Sequence, residues 1–256
     1  MHDLTKELET GGSIAQRAGE IAMRYYRTGL AFEAKSDDSP VTRADRECEQ
    51  FIARELEQAF PDDGLLGEEG AQKESRSGRR WIIDPIDGTR DFVRGIPTWS
   101  NLIGLEADGE VVAGFANMPA LGELYTATRG GGAFVNGQPI RASAITSISQ
   151  AVACFDSLTS AARQPFAARV VGWMEPFWAV RSMGGCLDAL MVARGQAEIW
   201  IETSGKPWDF APLKIIAEEA GARFFDYQGH ATIYSGNCVI CAPGMEEAVW
   251  KLLGSA

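Results

Sequence analysis

A run at residues 81–89, Trp-Ile-Ile-Asp-Pro-Ile-Asp-Gly-Thr, constrains this chain most, because an apolar stretch ends there in two carboxylates. Asp84 and Asp87 can supply oxygen ligands to Mg²⁺, which is usually bound by one or two carboxylates together with phosphate oxygens of a substrate. Pro85 fixes its own φ and donates no hydrogen bond, so it is predicted to break the strand and to turn the Ile86 carbonyl toward the same point. The run therefore predicts a site for a hard metal and a phosphate.

Gly88 and Thr89 follow the second carboxylate and suit a bound phosphate. Gly88 allows the backbone to approach a ligand closely. Thr89 is predicted to open a helix, whose free N–H groups and positive dipole end favour a bound anion. Without further context, Asp84 and Asp87 could equally form an Asx turn.

Two other acidic elements lie apart from this run. Glu68 and Glu69 follow a turn at 61–64 and a short apolar pair, which predicts adjacent carboxylates in a loop at the end of a strand. Asp209 stands just before the apolar-periodic segment 211–220, where an aspartate is also a preferred helix N-cap. Taken singly, a solvated loop and a helix cap would explain these acids.

In their order and spacing, the three acidic elements resemble those of the inositol monophosphatase family of Mg²⁺-dependent, lithium-sensitive phosphatases. The resemblance covers nearly the whole chain. It implies an α/β (α+β) fold with a five-layer α/β/α/β/α sandwich, a homodimer, and two or three Mg²⁺ ions per subunit, for which Mn²⁺ can substitute. The metal ligands that it implies are Glu68, Asp84, the carbonyl of Ile86, Asp87 and Asp209, together with Asp45 at a third, weaker metal.

The same resemblance implies a mechanism. Glu68, Thr89 and Asp84 are the implied catalytic residues, of which Glu68 and Thr89 orient and activate the attacking water. Two cations about 3.5–4 Å apart can clamp an in-line phosphoryl displacement, so no covalent phosphoenzyme is needed. Lys35 matches a lysine in a mobile loop over the site.

Two other phosphatase mechanisms do not fit the sequence. An aspartyl-phosphate mechanism requires Asp-x-Asp-Gly-Thr, whereas two residues separate Asp84 from Asp87. A histidine phosphatase requires an Arg-His-Gly string, and the two histidines, His2 and His230, do not form one. A protein of a different class, which keeps the fold and binds a partner without catalysis, is a further alternative, although every implied metal ligand is present.

Segment 94–99, Arg-Gly-Ile-Pro-Thr-Trp, resembles the histidinol-phosphate phosphatases of the family rather than the inositol-1-phosphatases. This resemblance implies L-histidinol phosphate as the substrate, in histidine biosynthesis. Myo-inositol monophosphates are the next alternative, followed by sugar bisphosphates and nucleotide 3′-phosphates. Segment 184–187, Gly-Gly-Cys-Leu, matches neither branch.

The ammonium and imidazole of histidinol phosphate call for carboxylates away from the metals. Glu202 matches a family position that contacts the leaving-group alcohol, and Asp188 is a second candidate; the alternatives are an acid at a strand end and an acid on a helix surface. Trp99 could stack on an imidazole, although such a residue is more often part of the core. The predicted substrate-binding residues are Gly88, Thr89, Gly184, Gly185, Cys186, Glu202 and Asp209.

The net charge of −11 argues against affinity for nucleic acid or for an anionic membrane. It also disfavours an anionic substrate, so bound Mg²⁺ would be needed to invert the sign of the charge at the site. The expected partner is therefore a small phosphomonoester that binds together with metal.

Residues 1–9 contain no apolar signal region, and no run approaches the ~20 apolar residues needed to span a bilayer. Five cysteines are an odd number, which favours reduced thiols in the cytoplasm. Cys238 and Cys241 lie in an apolar run that predicts a strand with buried structural thiols. We therefore expect a cytoplasmic protein that binds no membrane.

Hydrophobic spacing predicts a helix over 13–27 and a second over about 44–59, in which Asp45 could instead be an exposed acid or a cap. From about residue 142, strand and helix patterns alternate. We therefore expect two halves that form one compact unit: an α+β half (1–141) with most metal ligands, and an α/β half (142–256) with the substrate-binding residues and the last ligand.

Overall fold

The computed structural model describes residues 4–29, 31–34 and 40–254, so Lys35 lies outside the described residues. The described helices are α1 (Thr5–Met23), α2 (Arg43–Ala59), α3 (Thr89–Arg94), α4 (Leu158–Ala161), α5 (Ala167–Met174), α6 (Leu187–Ala193), α7 (Pro207–Glu219) and α8 (Glu246–Leu253). The described strands are β1 (Phe32–Ala34), β2 (Pro40–Thr42), β3 (Gly64–Gly67), β4 (Gln72–Lys73), β5 (Arg79–Asp87), β6 (Ser100–Ala107), β7 (Glu110–Met118), β8 (Glu123–Thr128), β9 (Gly132–Val135), β10 (Gln138–Pro139), β11 (Val152–Phe155), β12 (Ala179–Arg181), β13 (Ile199–Glu202), β14 (Arg223–Phe225) and β15 (Cys238–Cys241).

Apart from the ribbon of β1 and β2, the described strands form two sheets. The first has the order β10-β9-β8-β7-β6-β5-β3-β4 and is antiparallel except for the pair β3 and β5. The second has the order β12-β11-β13-β15-β14, in which β11 lies parallel to both β12 and β13. The carboxyl ends of β11 and β13 therefore meet at the same edge of the second sheet.

The helices separate and cover these sheets. α1 and α2 pack on one face of the first sheet, where they form a core with Trp81 and Phe115. α6 and α7 lie between the two sheets. α5 and α8 cover the outer face of the second sheet, where Trp173 and Leu252 pack in one core with Phe155. The layers follow the order α/β/α/β/α, which confirms the predicted sandwich.

α7 approaches the first sheet closely at a flat patch made by two glycines. Gly104 and Gly114 pair with each other across β6 and β7. A Cβ on Gly104 would lie 2.8 Å from the Cβ of Ala211, and a Cβ on Gly114 would lie 2.8 Å from the carbonyl oxygen of Pro212. The missing side chains therefore set the depth at which α7 packs, and with it the position of Asp209 in its first turn.

The Gly114→Ala variant is expected to lower the free energy of unfolding by about 2 kcal/mol, because the added methyl group would overpack a filled interface. Urea denaturation followed by tryptophan fluorescence measures this change. Gly172 on α5 is the matched control, since a Cβ there would meet no heavy atom within 4 Å. Gly172→Ala is expected to be neutral or to stabilise by up to ~1 kcal/mol, as alanine favours helix more than glycine does. Equal effects of the two substitutions would contradict this account of α7 packing.

The first helix begins earlier and ends earlier than its periodicity predicts. α1 spans Thr5–Met23 rather than 13–27, because the helix passes through two glycines that in sequence suggest a break. Gly11 packs so closely on β7 that a Cβ would lie 2.5 Å from the ring of Phe115. α2, by contrast, spans Arg43–Ala59 and confirms the helix predicted over 44–59.

All five cysteines lie within the described residues, and each is buried and free of any disulfide. Burial raises the pKa of every one of these thiols above its ordinary value. Cys238 and Cys241 lie in β15, between β13 and β14, as buried structural thiols. In the described part of the chain, no helix combines the length and the apolar content that a membrane crossing requires.

Candidate metal and phosphate site

A bulge in β5 places the first two carboxylates of the site. Asp84 pairs with Leu102 of β6, whereas Asp87 pairs with Ser100, so β5 has one extra residue between the two pairs. The side chain of Asn101 donates a hydrogen bond of 2.5 Å to the carbonyl of Pro85 and so satisfies a group that the ladder leaves unpaired. The prediction that Pro85 breaks the strand is therefore wrong: β5 continues to Asp87, and the irregularity is a bulge.

Asp209 reaches the same point from α7. One carboxylate oxygen each of Asp84, Asp87 and Asp209 lies within 4.8 Å of the others. Asp209 also accepts a 2.6 Å hydrogen bond from the backbone N–H of Lys206, so it caps its helix as well as joining the cluster. The interpretation of Asp209 as the N-cap is wrong, because the N-cap of α7 is Lys206 and Asp209 is the third helical residue.

The electrostatics of this cluster suit a cation. Burial raises the pKa of Asp84 well above its ordinary value, and the charges of Glu68 and Asp209 add to the effect. Burial likewise raises the pKa of Asp87 well above its ordinary value and that of Asp209 to about 6. Among the described residues, the buried Oδ1 of Asp84 has no hydrogen-bond partner. A divalent cation would supply this partner and would stabilise the charged form of all three acids.

Glu68 lies in the turn that follows β3, as predicted. Its backbone N–H donates to the carbonyl of Ile83 at 3.1 Å, which ties the turn to β5. Its charge contributes to the raised pKa of Asp84, so the two carboxylates are close. Glu68 therefore lies near the cluster, although it is not one of the three acids whose oxygens lie within 4.8 Å of one another.

Thr89 and Asp45 contact each other near the acid cluster. Thr89 is the first residue of α3, as predicted, and its hydroxyl donates to the carbonyl of Ile86 at 3.0 Å and lies 3.3 Å from Oδ1 of Asp45. Asp45 is 1% exposed and forms a capping box with Thr42 at the start of α2, so the alternative of an exposed acid is wrong. Burial raises the pKa of Asp45 to about 6.

The loop at residues 184–186 joins the two sheets at the site. The N–H of Cys186 donates to Oδ2 of Asp87 at 2.7 Å, and the N–H of Gly185 bonds to Asp156. A Cβ on Gly185 would lie 3.1 Å from Asp87 Oδ2, so this position has little room for a side chain. Gly184 and Gly185 both have positive φ, 86° and 57°. The predicted substrate-binding loop therefore lies beside the acid cluster.

Asp156 is a site residue that the sequence prediction missed. It follows β11 directly, and Glu202 ends the parallel neighbour β13. The two carboxylates lie close enough for the charge of Asp156 to act on Glu202. Burial, followed by the charge of Asp156, raises the pKa of Glu202 well above its ordinary value. An acid directly after an apolar strand was the available signal, but only the pairing of β11 with β13 makes it informative.

Asp188 and Trp99 do not line the site. The Asp188 carboxylate is fully buried and accepts the N–H groups of Met183 and Gly184 at 2.9 and 3.2 Å, so it supports the loop from inside. Both earlier interpretations of Asp188, as a pocket residue and as a helix-surface acid, are therefore wrong. Trp99 is fully buried and packs edge-on against Phe92 at 4.9 Å between ring centroids, which makes it a core residue.

Five alternating layers and a cluster of three carboxylates, of which Asp84 is buried and Asp87 and Asp209 are half-buried, suit a metal-dependent phosphate-ester hydrolase. A family model described as the inositol monophosphatase family matches residues 3–255. The chain belongs to the inositol monophosphatase family. It is therefore a phosphatase of a metal-dependent family whose members act on small phosphate esters, and its acid cluster can bind a metal.

The chain is similar to relatives of two named activities. It is 41% identical over 240 residues to a histidinol-phosphatase of Chlorobaculum parvum, covering 93% of each chain. It is 34% identical over 237 residues to an inositol-1-monophosphatase of Rhizobium meliloti, covering 91% of this chain and 87% of the relative. The solved structure of a Thermotoga maritima IMPase matches with a TM-score of 0.89 at 31% identity, covering 97% of this chain and 96% of the other.

Proposed function

We propose that this phosphatase hydrolyses L-histidinol phosphate to L-histidinol and phosphate, as a step of histidine biosynthesis. The supporting observation is the pair formed by half-buried Asp156 and buried Glu202 near the acid cluster. Two acceptor groups suit a substrate whose ammonium and imidazole both donate hydrogen bonds. The 41% identity to a relative named histidinol-phosphatase supports the same substrate.

We assign the binding of two or three Mg²⁺ ions, which Mn²⁺ can replace, to oxygen atoms of the acid cluster and its neighbours. Carboxylate and carbonyl oxygens are the ligands that both ions accept. The bound cations would lower the pKa of the attacking water and stabilise the negative charge of the leaving oxygen. The assigned ligands are Glu68, Asp84, the carbonyl of Ile86, Asp87 and Asp209, with Asp45 at a further position.

The side chains of the protein act on the water and on the ester. Glu68 accepts a proton from the water as the water oxygen attacks phosphorus, and the Thr89 hydroxyl orients that water. The bond between phosphorus and the ester oxygen breaks on the opposite side. The alcohol oxygen then takes a proton from solvent, which releases histidinol and inorganic phosphate. No covalent bond to the protein forms at any step.

Asp156 and Glu202 would select the substrate by its leaving-group alcohol. Without a cation nearby, Asp156 and Glu202 do not both ionise readily, because burial and the charge of Asp156 raise the pKa of Glu202. A substrate ammonium bound between them would let both carboxylates carry charge, and any proton held by the pair would pass to solvent. The neighbouring N–H groups of Gly185 and Cys186 keep this pair and Asp87 in fixed relation.

Myo-inositol monophosphates are the second candidate substrates. A ring hydroxyl can also donate to the Glu202 carboxylate, and the relative from Rhizobium meliloti carries the inositol-1-monophosphatase name at 34% identity. Histidinol phosphate remains the first candidate because a neutral hydroxyl gains less than an ammonium from the second acid, Asp156.

Phosphate release from histidinol phosphate and from myo-inositol 1-phosphate, measured side by side with Mg²⁺ and with a chelator, tests this proposal. We expect kcat/KM to be about a hundredfold higher for histidinol phosphate, equivalent to ~2.7 kcal/mol of differential transition-state binding. Chelation is expected to abolish release of phosphate from both substrates.

Comparable or reversed rates would contradict the substrate but leave a metal-dependent phosphatase. Release that survives chelation would contradict the metal ligands. An absence of release from either substrate would favour a protein that keeps the fold for partner binding.

A further inference from the structure

Glu49 is a buried acid close to the site that the mechanism above does not use. It lies on α2, one helical turn after Asp45, and is 3% exposed. Its two carboxylate oxygens accept different backbone N–H groups, those of Glu69 and Ala71, each at 2.7 Å. Helix α2 therefore contributes two buried carboxylates to this region, at neighbouring positions on one face.

The Glu49 carboxylate occupies the inside of the loop at residues 67–71. The N–H of Gly67 donates to the carbonyl of Ala71 at 2.7 Å and closes this loop. A Cβ on Gly67 would lie 2.5 Å from Oε2 of Glu49, so the carboxylate lies directly against the Gly67 backbone. The N–H of Glu68 donates to the carbonyl of Ile83, and the N–H groups of its neighbours Gly67 and Glu69 donate to Ala71 and Glu49. The backbone is therefore held on both sides of Glu68.

A charged carboxylate at position 49 is unfavourable for the folded protein, so its presence there indicates a specific role. Burial raises the pKa of Glu49, and the charges of Glu69 and Glu68 add to this effect. A neutral amide would avoid this repulsion. However, an amide accepts through its oxygen alone, and its NH₂ group would face one of the two N–H donors. Only a carboxylate satisfies both donors of the loop.

We propose that Glu49 is a positioning residue that holds the loop so that Glu68 points toward Asp84 and Asp87. This inference rests on the proposed function, in which Glu68 binds metal and accepts a proton from water. The same helix brings Asp45 to Thr89 at 3.3 Å, so α2 fixes two sides of the site through one rigid element.

Metal binding without substrate is the direct test. Mn²⁺ binding is measured by the electron paramagnetic resonance signal of the free ion, for the wild type, Glu49→Gln and Glu57→Gln. Glu57 is an exposed acid on the same helix and serves as the matched control for lost charge. We expect the Kd for Mn²⁺ to rise about tenfold or more in Glu49→Gln, within the range found for residues that orient metal ligands. Glu57→Gln is expected to match the wild type.

A second variant displaces the carboxylate without removing it. Gly67→Ala places a methyl group against Glu49, and the φ of Gly67 lies outside the left-handed region, so alanine is tolerated by the backbone. We expect the same weakening of Mn²⁺ binding as in Glu49→Gln. The Mg²⁺ concentration that half-activates phosphate release should rise in both variants, and excess Mg²⁺ should restore part of kcat.

The outcomes separate this role from simple stabilisation. Variants that melt at a lower temperature but keep the Mn²⁺ Kd within about twofold of the wild type would overturn the positioning role and leave the proposed function intact. A wild type that neither binds Mn²⁺ nor releases phosphate with metal would overturn the proposed function and this role together. Weakened binding in both variants, with folded protein shown by near-ultraviolet circular dichroism, supports the positioning role.

Discussion

Asp84→Asn is expected to lower kcat/KM for metal-dependent phosphate release about a thousandfold, which corresponds to ~4 kcal/mol of transition-state stabilisation. The substitution keeps the shape of the side chain but removes a negative charge from the centre of the acid cluster. Asp84 is 2% exposed, and its Oδ1 lacks a partner among the described residues, so this oxygen is free for a cation. Steady-state phosphate release with saturating Mg²⁺ measures the loss.

The same variant is expected to melt at a higher temperature than the wild type when metal is removed. Burial and neighbouring acids raise the pKa of Asp84, so ionised Asp84 destabilises the folded protein near neutral pH. Asparagine removes that cost, and it also removes the stabilisation that Mg²⁺ gives to the wild type. Differential scanning fluorimetry without and with Mg²⁺ measures the melting temperature of the metal-free variant and the stabilisation that Mg²⁺ adds.

Asp108→Asn is the control, because Asp108 is exposed in the turn between β6 and β7 with φ 52°, which asparagine also adopts. It should leave activity and melting temperature unchanged. If Asp84→Asn kept wild-type activity, or melted lower than the wild type without metal, the assignment of Asp84 as a metal ligand would be wrong.

Asp156→Asn is expected to change substrate preference rather than the phosphate chemistry. We expect kcat/KM for histidinol phosphate to fall about a hundredfold, since truncating one partner of a buried charge pair costs roughly 2–5 kcal/mol. For myo-inositol 1-phosphate the change should stay within about threefold, because that substrate has no ammonium. Parallel kinetics with the two substrates measure the ratio.

The Mn²⁺ affinity of Asp156→Asn serves as an internal control, as Asp156 is not an assigned metal ligand. We expect it to remain close to that of the wild type. Equal losses for both substrates would show that Asp156 supports the loop at residues 184–186 rather than selecting the alcohol. An unchanged preference would remove the main structural support for histidinol phosphate.

The predicted residues whose proximity could be expected from the sequence are those that lie close together along the chain. Asp84, Asp87 and Thr89 lie within six residues, at the end of β5 and the start of α3, so their common position depends on one bulge of the backbone. The family resemblance added Glu68 and Asp209, and the structure brings these acids into one neighbourhood. The loss of the predicted strand break at Pro85 had little effect, since a bulge also redirects side chains.

Asp156 and Glu49 could not be predicted because their environments are set by long-range packing. Asp156 becomes informative only through the pairing of β11 with β13, and Glu49 only through the loop that returns to α2. The predicted bounds of the first helix were wrong for a related reason. α1 continues through Gly11, whose place in the helix depends on close packing against Phe115 of β7.

The burial of all five cysteines makes this chain a convenient host for site-directed labelling. The thiolate is the reactive species, and burial both raises the pKa of each native thiol and shields it from reagents. A cysteine introduced at an exposed position would therefore react with a maleimide far faster than any native one. Fluorescent or spin probes can thus be attached at single sites around the acid cluster without first removing the native cysteines.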